Sequence, residues 1–130
     1  MIYDTNLLIN HIRKASLPNL QTIIPIVVVG ELEAFSLKDD WGAQKINFMR
    51  HLIDRYPIAD IESDIIPDYA QIDAFSQGKL QTAPLKSSAR NMGKNDIWIA
   101  ARAVYLDLEL HTTDTDFDHL PALGLRLVKH

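Results

Sequence analysis

Asp4, Glu31, Asp96 and Asp114 are the residues of this chain best placed to do chemistry. They are far apart in sequence, yet each falls at the edge of an apolar segment or on the apolar face of a helix. Carboxylates are costly in such surroundings unless a positive charge meets them. Gathered into one pocket, they would hold a divalent metal ion. The chain has no cysteine, and its five histidines are scattered. An all-oxygen donor set suits Mg²⁺ or Mn²⁺ better than Zn²⁺.

Each acid also has a purely structural reading. Asp4 precedes a helix and is a preferred capping type. Asp96 opens a helix, where the dipole favours an acid by about 0.3–1 kcal/mol. Asp114 sits in a turn with Asp116 and Asp118. Glu31 is harder to explain this way. On a helix its neighbours are Val27, Val28, Ala34 and Phe35, all apolar, so it leaves from the core-facing stripe. Glu33 has more mixed neighbours and suits a surface. Several carboxylates converging on one place cannot all ionise cheaply without a counter-charge.

The elements that must bring them together alternate along the chain. Met1–Tyr3 reads as a buried strand ending at Asp4. Thr5 and Asn6 offer helix-capping side chains before Leu7, Leu8 and Ile12. A strand over Thr22–Ile24 precedes a helix from about Ile26 to Leu37, although the β-branched run Ile26–Val29 also fits a strand. Ala43–Tyr56 has helical spacing, Pro57 breaks it, and Ile58–Ile61 reads as a strand. A helix over Ile65–Phe75 carries Pro67 near its start. The Gly- and Pro-containing segment from Gln77 to Lys94 reads as loop. Asn95 or Asp96 caps a helix over Ile97–Leu106, apolar on nearly every side and so expected to be buried. Strands over Leu108–Thr113 and Leu125–Val128 complete the series. The alternation predicts a three-layer α/β/α fold around a central, mainly parallel sheet of four to five strands. In such sheets ligands bind beyond the carboxyl ends of the strands, where Asp4 and Asp114 fall.

Length and composition agree with that reading. The chain has 130 residues, 47% of them apolar, which predicts a single domain over residues 1–130. No apolar run is long enough to span a membrane. The opening Met-Ile-Tyr-Asp lacks the basic and long apolar regions of a signal peptide. A cytoplasmic location is therefore expected. Net charge is −4, unlike a generic nucleic-acid coat protein. The charges are segregated, however. Lys79, Lys86, Arg90 and Lys94 are followed, from Asp107 to Asp118, by five acids with no Lys or Arg among them. A basic flank beside an acidic pocket is what a metal-dependent enzyme acting on a polyanion needs.

The ordered set of motifs resembles the PIN-domain ribonucleases. Met-Ile-Tyr-Asp4-Thr5-Asn6 is similar to that family's opening strand and DTN signature. Val28-Val29-Gly30-Glu31-Leu32 resembles the helix of the second acid. Lys94-Asn95-Asp96-Ile97-Trp98-Ile99-Ala100-Ala101 resembles that of the third, and Thr112-Thr113-Asp114-Thr115-Asp116-Phe117 the closing element. The nearest resemblance within the family is to the VapC-like toxins of toxin–antitoxin pairs. It implies an endoribonuclease with Asp4, Glu31, Asp96 and Asp114 as catalytic metal-binding acids and Asp116 as an accessory acid. Asn6 and Thr112 would steady the site. Gly30 departs from a good helix former by about 1 kcal/mol, which leaves Glu33 as the alternative second acid. The resemblance also implies a small antitoxin partner and a homodimer.

Hydrolysis of RNA phosphodiester bonds is the expected reaction, with Lys86, Arg90 and Lys94 as candidate phosphate contacts. The alternative is a non-catalytic α/β domain. One form is a receiver-like signalling module using Asp60 and Lys129, the other an inactive PIN-like scaffold. A phosphatase using Asp114-Thr115-Asp116 is a further rival.

Overall fold

A computed structural model describes all 130 residues. It contains five short strands: β1 (Ile2–Tyr3), β2 (Ile24–Pro25), β3 (Ile58–Ala59), β4 (Glu109–Thr112) and β5 (Arg126–Lys129). The five α-helices are α1 (Thr5–Arg13), α2 (Ile26–Lys38), α3 (Ala43–Arg55), α4 (Ile66–Ser76) and α5 (Lys94–Leu106). All strand pairs are parallel. β4 lies between β1 and β5, β2 pairs with β3, and a single bridge from Ile2 to Ile23 joins the two ladders. The resulting strand order is β3-β2-β1-β4-β5.

That order carries the layering. The chain steps outward from β1 through β2 to β3, then returns across the sheet to place β4 on the other side of β1. Right-handed crossovers in opposite directions put their helices on opposite faces. α1, α2 and α3 pack together on one face, and α4 packs against α5 on the other. The expected three-layer architecture with a parallel sheet is therefore present. The direction of winding reverses between β1 and β4, and the crevice above that reversal is where doubly wound sheets bind ligands.

Local sequence explains most elements. α1 buries Leu7, Leu8, Ile9 and Ile12 and exposes Asn6, Asn10 and Arg13, a clear apolar stripe. α5 buries Ile97, Ile99, Ala100, Ala101 and Ala103, as its all-round apolar sequence requires. It also buries Arg102, whose guanidinium donates to the Asp60 carbonyl at 2.5 Å and meets Asp64 at 3.4 Å. Residues 77–93 form no helix or strand.

Several boundaries differ from the expected ones. α1 begins at Thr5, and its cap is Asp4, not Thr5 or Asn6. α5 begins at Lys94 after Gly93, so neither Asn95 nor Asp96 is its cap; Asp96 lies within the first turn. β2 lies later than Thr22–Ile24 and includes Pro25. The helix expected from Ile65 is a 3₁₀ turn over Ser63–Ile65 that runs into α4. α2 runs unbroken through Gly30.

Candidate active site

The crevice between β1 and β4 opens into a cavity of about 620 Å³. Asp4, Glu31, Asp96 and Asp114 all line it, together with Asn6. They arrive from four elements: the end of β1, the second turn of α2, the first turn of α5 and the turn after β4. The expected convergence of the four acids is thus present in the tertiary structure.

Asp4, Glu31 and Asp114 are each held by hydrogen bonds, whereas the Asp96 carboxylate accepts none. Asp4 is buried and spends both oxygens. One accepts from the Leu7 amide at 3.1 Å, capping α1, and the other accepts from the Thr112 hydroxyl. Thr112, itself fully buried, also accepts from the Asp114 amide at 2.8 Å. One threonine therefore ties the end of β4 to the acid of β1. The Asp114 carboxylate accepts from the Asp116 amide at 2.9 Å, capping a 3₁₀ turn over Thr115–Phe117. Glu31 accepts from the Thr5 hydroxyl at 2.7 Å. The capping readings and the pocket reading of Asp4 and Asp114 hold simultaneously.

Oxygens of Asp96, Asp114 and Asp116 lie within 4.8 Å of one another, close enough to share one cation. Asp116 is the most exposed of the three. Burial pushes the Asp96 carboxyl up to about 6, and the negative charges of Glu31, Asp114, Asp116 and Asp4 push it in the same direction. Burial also raises Asp4, against the lowering effect of its Thr112 and Leu7 hydrogen bonds. A helix N-terminus by itself would lower an acid such as Asp96. Here desolvation and four neighbouring carboxylates outweigh it. Hard oxygen donors that repel one another in a concave, partly desolvated site fit a divalent cation.

Glu33, the alternative second acid, does not line the cavity. It pairs with Arg50 at 3.2 Å on the surface between α2 and α3, while Glu31 faces the cavity. Asn6 lines the cavity without a hydrogen bond to any acid; its neighbour Thr5 makes that contact instead. Lys86 and Arg90 line a separate groove with His119, and Lys94 lines another between α4 and α5. Arg90 does reach the acidic turn, donating to the Thr115 carbonyl at 2.9 Å. Asp118 leaves the cluster and pairs with Lys129 at 2.7 Å. Asp60, the acid of the receiver-like alternative, offers its carbonyl to Arg102 away from the cavity.

Three polar lining residues, Thr5, Lys38 and Asn95, were not among the expected site residues. Thr5 lies directly beside Asp4, in the same signature. Lys38 lies seven residues after Glu31, two helical turns along the same stripe, a spacing that could have found it. The two histidines nearest the acids in sequence acquire partners. His111 contacts Glu109 at 3.1 Å and His130 at 2.8 Å, and stacks on Tyr3. His119 contacts the buried Ser76 hydroxyl at 2.7 Å.

No curated protein matches the sequence. Solved structures do match in fold. A chain of the VapBC2 complex from Rickettsia felis, bound to a DNA fragment from its promoter, has a TM-score of 0.73 and 21% identity over 100% of this chain and 99% of that one. VapBC-5 from Mycobacterium tuberculosis, of the VapBC family of toxin–antitoxin systems, has a TM-score of 0.71 and 23% identity, covering 99% and 97%. FitAcB from Neisseria gonorrhoeae has 0.71 and 18%, covering 98% and 96%. At such identities the likeness is one of fold. The family model of the PIN domain matches residues 1–116. That span takes in Asp4, Glu31, Asp96, Asp114 and Asp116, and the chain belongs to the PIN domain family.

Proposed function

We propose that this protein is a divalent-metal-dependent endoribonuclease and the toxin of a toxin–antitoxin pair. The observation that carries the nuclease reading is the convergence of four carboxylates from β1, α2, α5 and the β4 turn on one cavity, at the point where the sheet reverses its winding. Family membership and fold likeness to VapBC complexes support the toxin reading.

Asp96, Asp114 and Asp116 would hold a Mg²⁺ or Mn²⁺ ion, with Asp4 and Glu31 completing the acidic wall. Such an ion, when bound by these acids, would supply an activated water and offset charge on the scissile phosphate. The chain's own residues do the rest. Thr112 and the Leu7 amide fix the Asp4 carboxylate, and Thr5 fixes Glu31. Without a cation the cavity repels a polyanion, so substrate placement as well as chemistry depends on loading the site. Lys86 and Arg90 on the loop before α5, and Lys94 at its first residue, are assigned to contacts with more distant phosphates. A small antitoxin, a homodimeric assembly and a cytoplasmic setting belong to the same reading. No helix is long and apolar enough to cross a membrane.

The test is cleavage of RNA by the purified chain with Mg²⁺ or Mn²⁺, with EDTA, and with Asp96→Asn. The expected result is metal-dependent cleavage that falls at least a hundredfold in a folded Asp96→Asn variant. Undiminished cleavage by that variant, or by wild type in EDTA, refutes the assignment.

A further inference from the structure

The acidic cavity has a second end. Beyond Glu31 its wall is the rest of α2, where Gly30, Ala34, Phe35 and Lys38 face it. Lys38 is the one basic residue lining the cavity. It is exposed, and none of the four ion pairs in the structure uses it. Seven residues separate it from Glu31, about 10.5 Å along the helix axis. Gly30 lies mid-helix, where glycine is unfavourable relative to alanine. Nothing comes within 4 Å of a Cβ built there, so packing of the free protein does not require it. What the missing side chain leaves is open wall beside the acids. Phe35, half-buried, carries the Arg13 guanidinium over its ring at 5.7 Å and gives this end of the cavity a flat apolar surface.

We propose that the α2 wall from Gly30 to Lys38 is the subsite for the nucleotide next to the scissile bond, with Lys38 pairing with that nucleotide's outer phosphate and the sugar and base lying over Gly30, Ala34 and Phe35. This rests on the ribonuclease reading and assigns the path of the strand away from the acids. A phosphate held by a lone exposed lysine contributes to binding rather than to the chemical step, and it does so through counterion release. A planar base has a face to lay against an aromatic ring, independent of its identity. Lys38 is thus a positioning residue for the strand.

The experiment uses the full chain with Mg²⁺ or Mn²⁺ and an oligoribonucleotide selected for cleavage from a randomised pool. Lys38→Gln should raise KM about tenfold with kcat within about twofold, and reduce the salt slope of binding by about one. Lys38→Arg should restore both. On a dinucleotide with no outer phosphate, wild type and Lys38→Gln should behave alike. Gly30→Leu should melt no lower than wild type, because its side chain enters open space, yet raise KM on the long substrate. The proposal is overturned if Lys38→Gln leaves KM and salt slope unchanged, or weakens the dinucleotide as much as the long substrate. Asp96→Asn separates the two levels. If it abolishes cleavage while Lys38→Gln does nothing, only the subsite is wrong. If wild type cleaves nothing, or Asp96→Asn cleaves normally, the ribonuclease reading falls and takes the subsite with it.

Discussion

Replacing Asp96 by Asn should stabilise the metal-free protein while abolishing its activity. The Asp96 carboxyl lies near 6 in the folded chain, against 3.8 for an unperturbed aspartate. Its raised value has burial as the leading cause and the other four acids as the second. Between those two pH values the native state binds more protons than the unfolded chain. Unfolding free energy therefore falls as pH rises through this window. The penalty is absent below about pH 3.8 and fully present above about pH 6. At about 1.4 kcal/mol per pH unit, a shift of this size costs the folded state at most about 3 kcal/mol. Asp96 is half-buried, so solvent screening reduces that figure. Asparagine also forfeits the first-turn dipole interaction, about 0.3–1 kcal/mol. The net expectation is a gain of about 1–2 kcal/mol at pH 7.5, shrinking to nothing near pH 4. Urea denaturation in EDTA across that range measures it, as a shift in midpoint at unchanged slope. Adding Mg²⁺ should reverse the order, because wild type alone gains the binding free energy. The reasoning is refuted if Asp96→Asn is no more stable than wild type at pH 7.5 in EDTA. A gain that persists unchanged to pH 4 refutes it equally.

Thr112→Val removes the donor to Asp4 and the acceptor of the Asp114 amide, both at a fully buried residue of unchanged shape. It should cost about 1–3 kcal/mol in urea denaturation and lower cleavage as well; a loss below about 0.5 kcal/mol would show that Thr112 does not tie β1 to β4. Arg102→Met unpairs the Asp64 carboxylate and the Asp60 carbonyl on the far face of α5. Because the Asp64 side chain keeps 31% of its exposure, a loss of about 1–2 kcal/mol is expected rather than the full cost of a broken buried pair, with cleavage unchanged at a temperature where the variant is folded.

The elements that could be read along the chain are those with strong local patterns. α1, α3 and α5 carry apolar stripes or an all-apolar run, and Pro57 marks the end of α3, so their existence followed from spacing. The helix starts were less legible. Gly93 takes the cap position of α5 and Asp4 that of α1 because a cap depends on where the preceding strand or loop delivers the chain, not only on which nearby residue has a good capping side chain. α2 was ambiguous because the β-branched run Ile26–Val29 suits a strand, and its packing against α1, α3 and α5 is a tertiary fact. The strands are so short that their ends are set by which backbone groups find partners across the sheet, which is a non-local fact.

The site divides the same way. Asp4, Asp96, Asp114 and Asp116 stand in short, recognisable strings, and Glu31 on an apolar stripe announced a cost that something must offset. Those identities are a property of the sequence, since side-chain chemistry and helical or strand period are local. That the acids meet was decided by the order β3-β2-β1-β4-β5, which sets the end of β1 beside the end of β4 across more than a hundred residues of chain. Only the tertiary structure turned Glu31 rather than Glu33 toward the cavity, while Arg50 on α3 pairs with the latter. It also placed Lys86, Arg90 and Lys94 on neighbouring grooves and brought Lys38 into the cavity. Charge is visible in a sequence, but which charges face one another depends on the packing of separate elements.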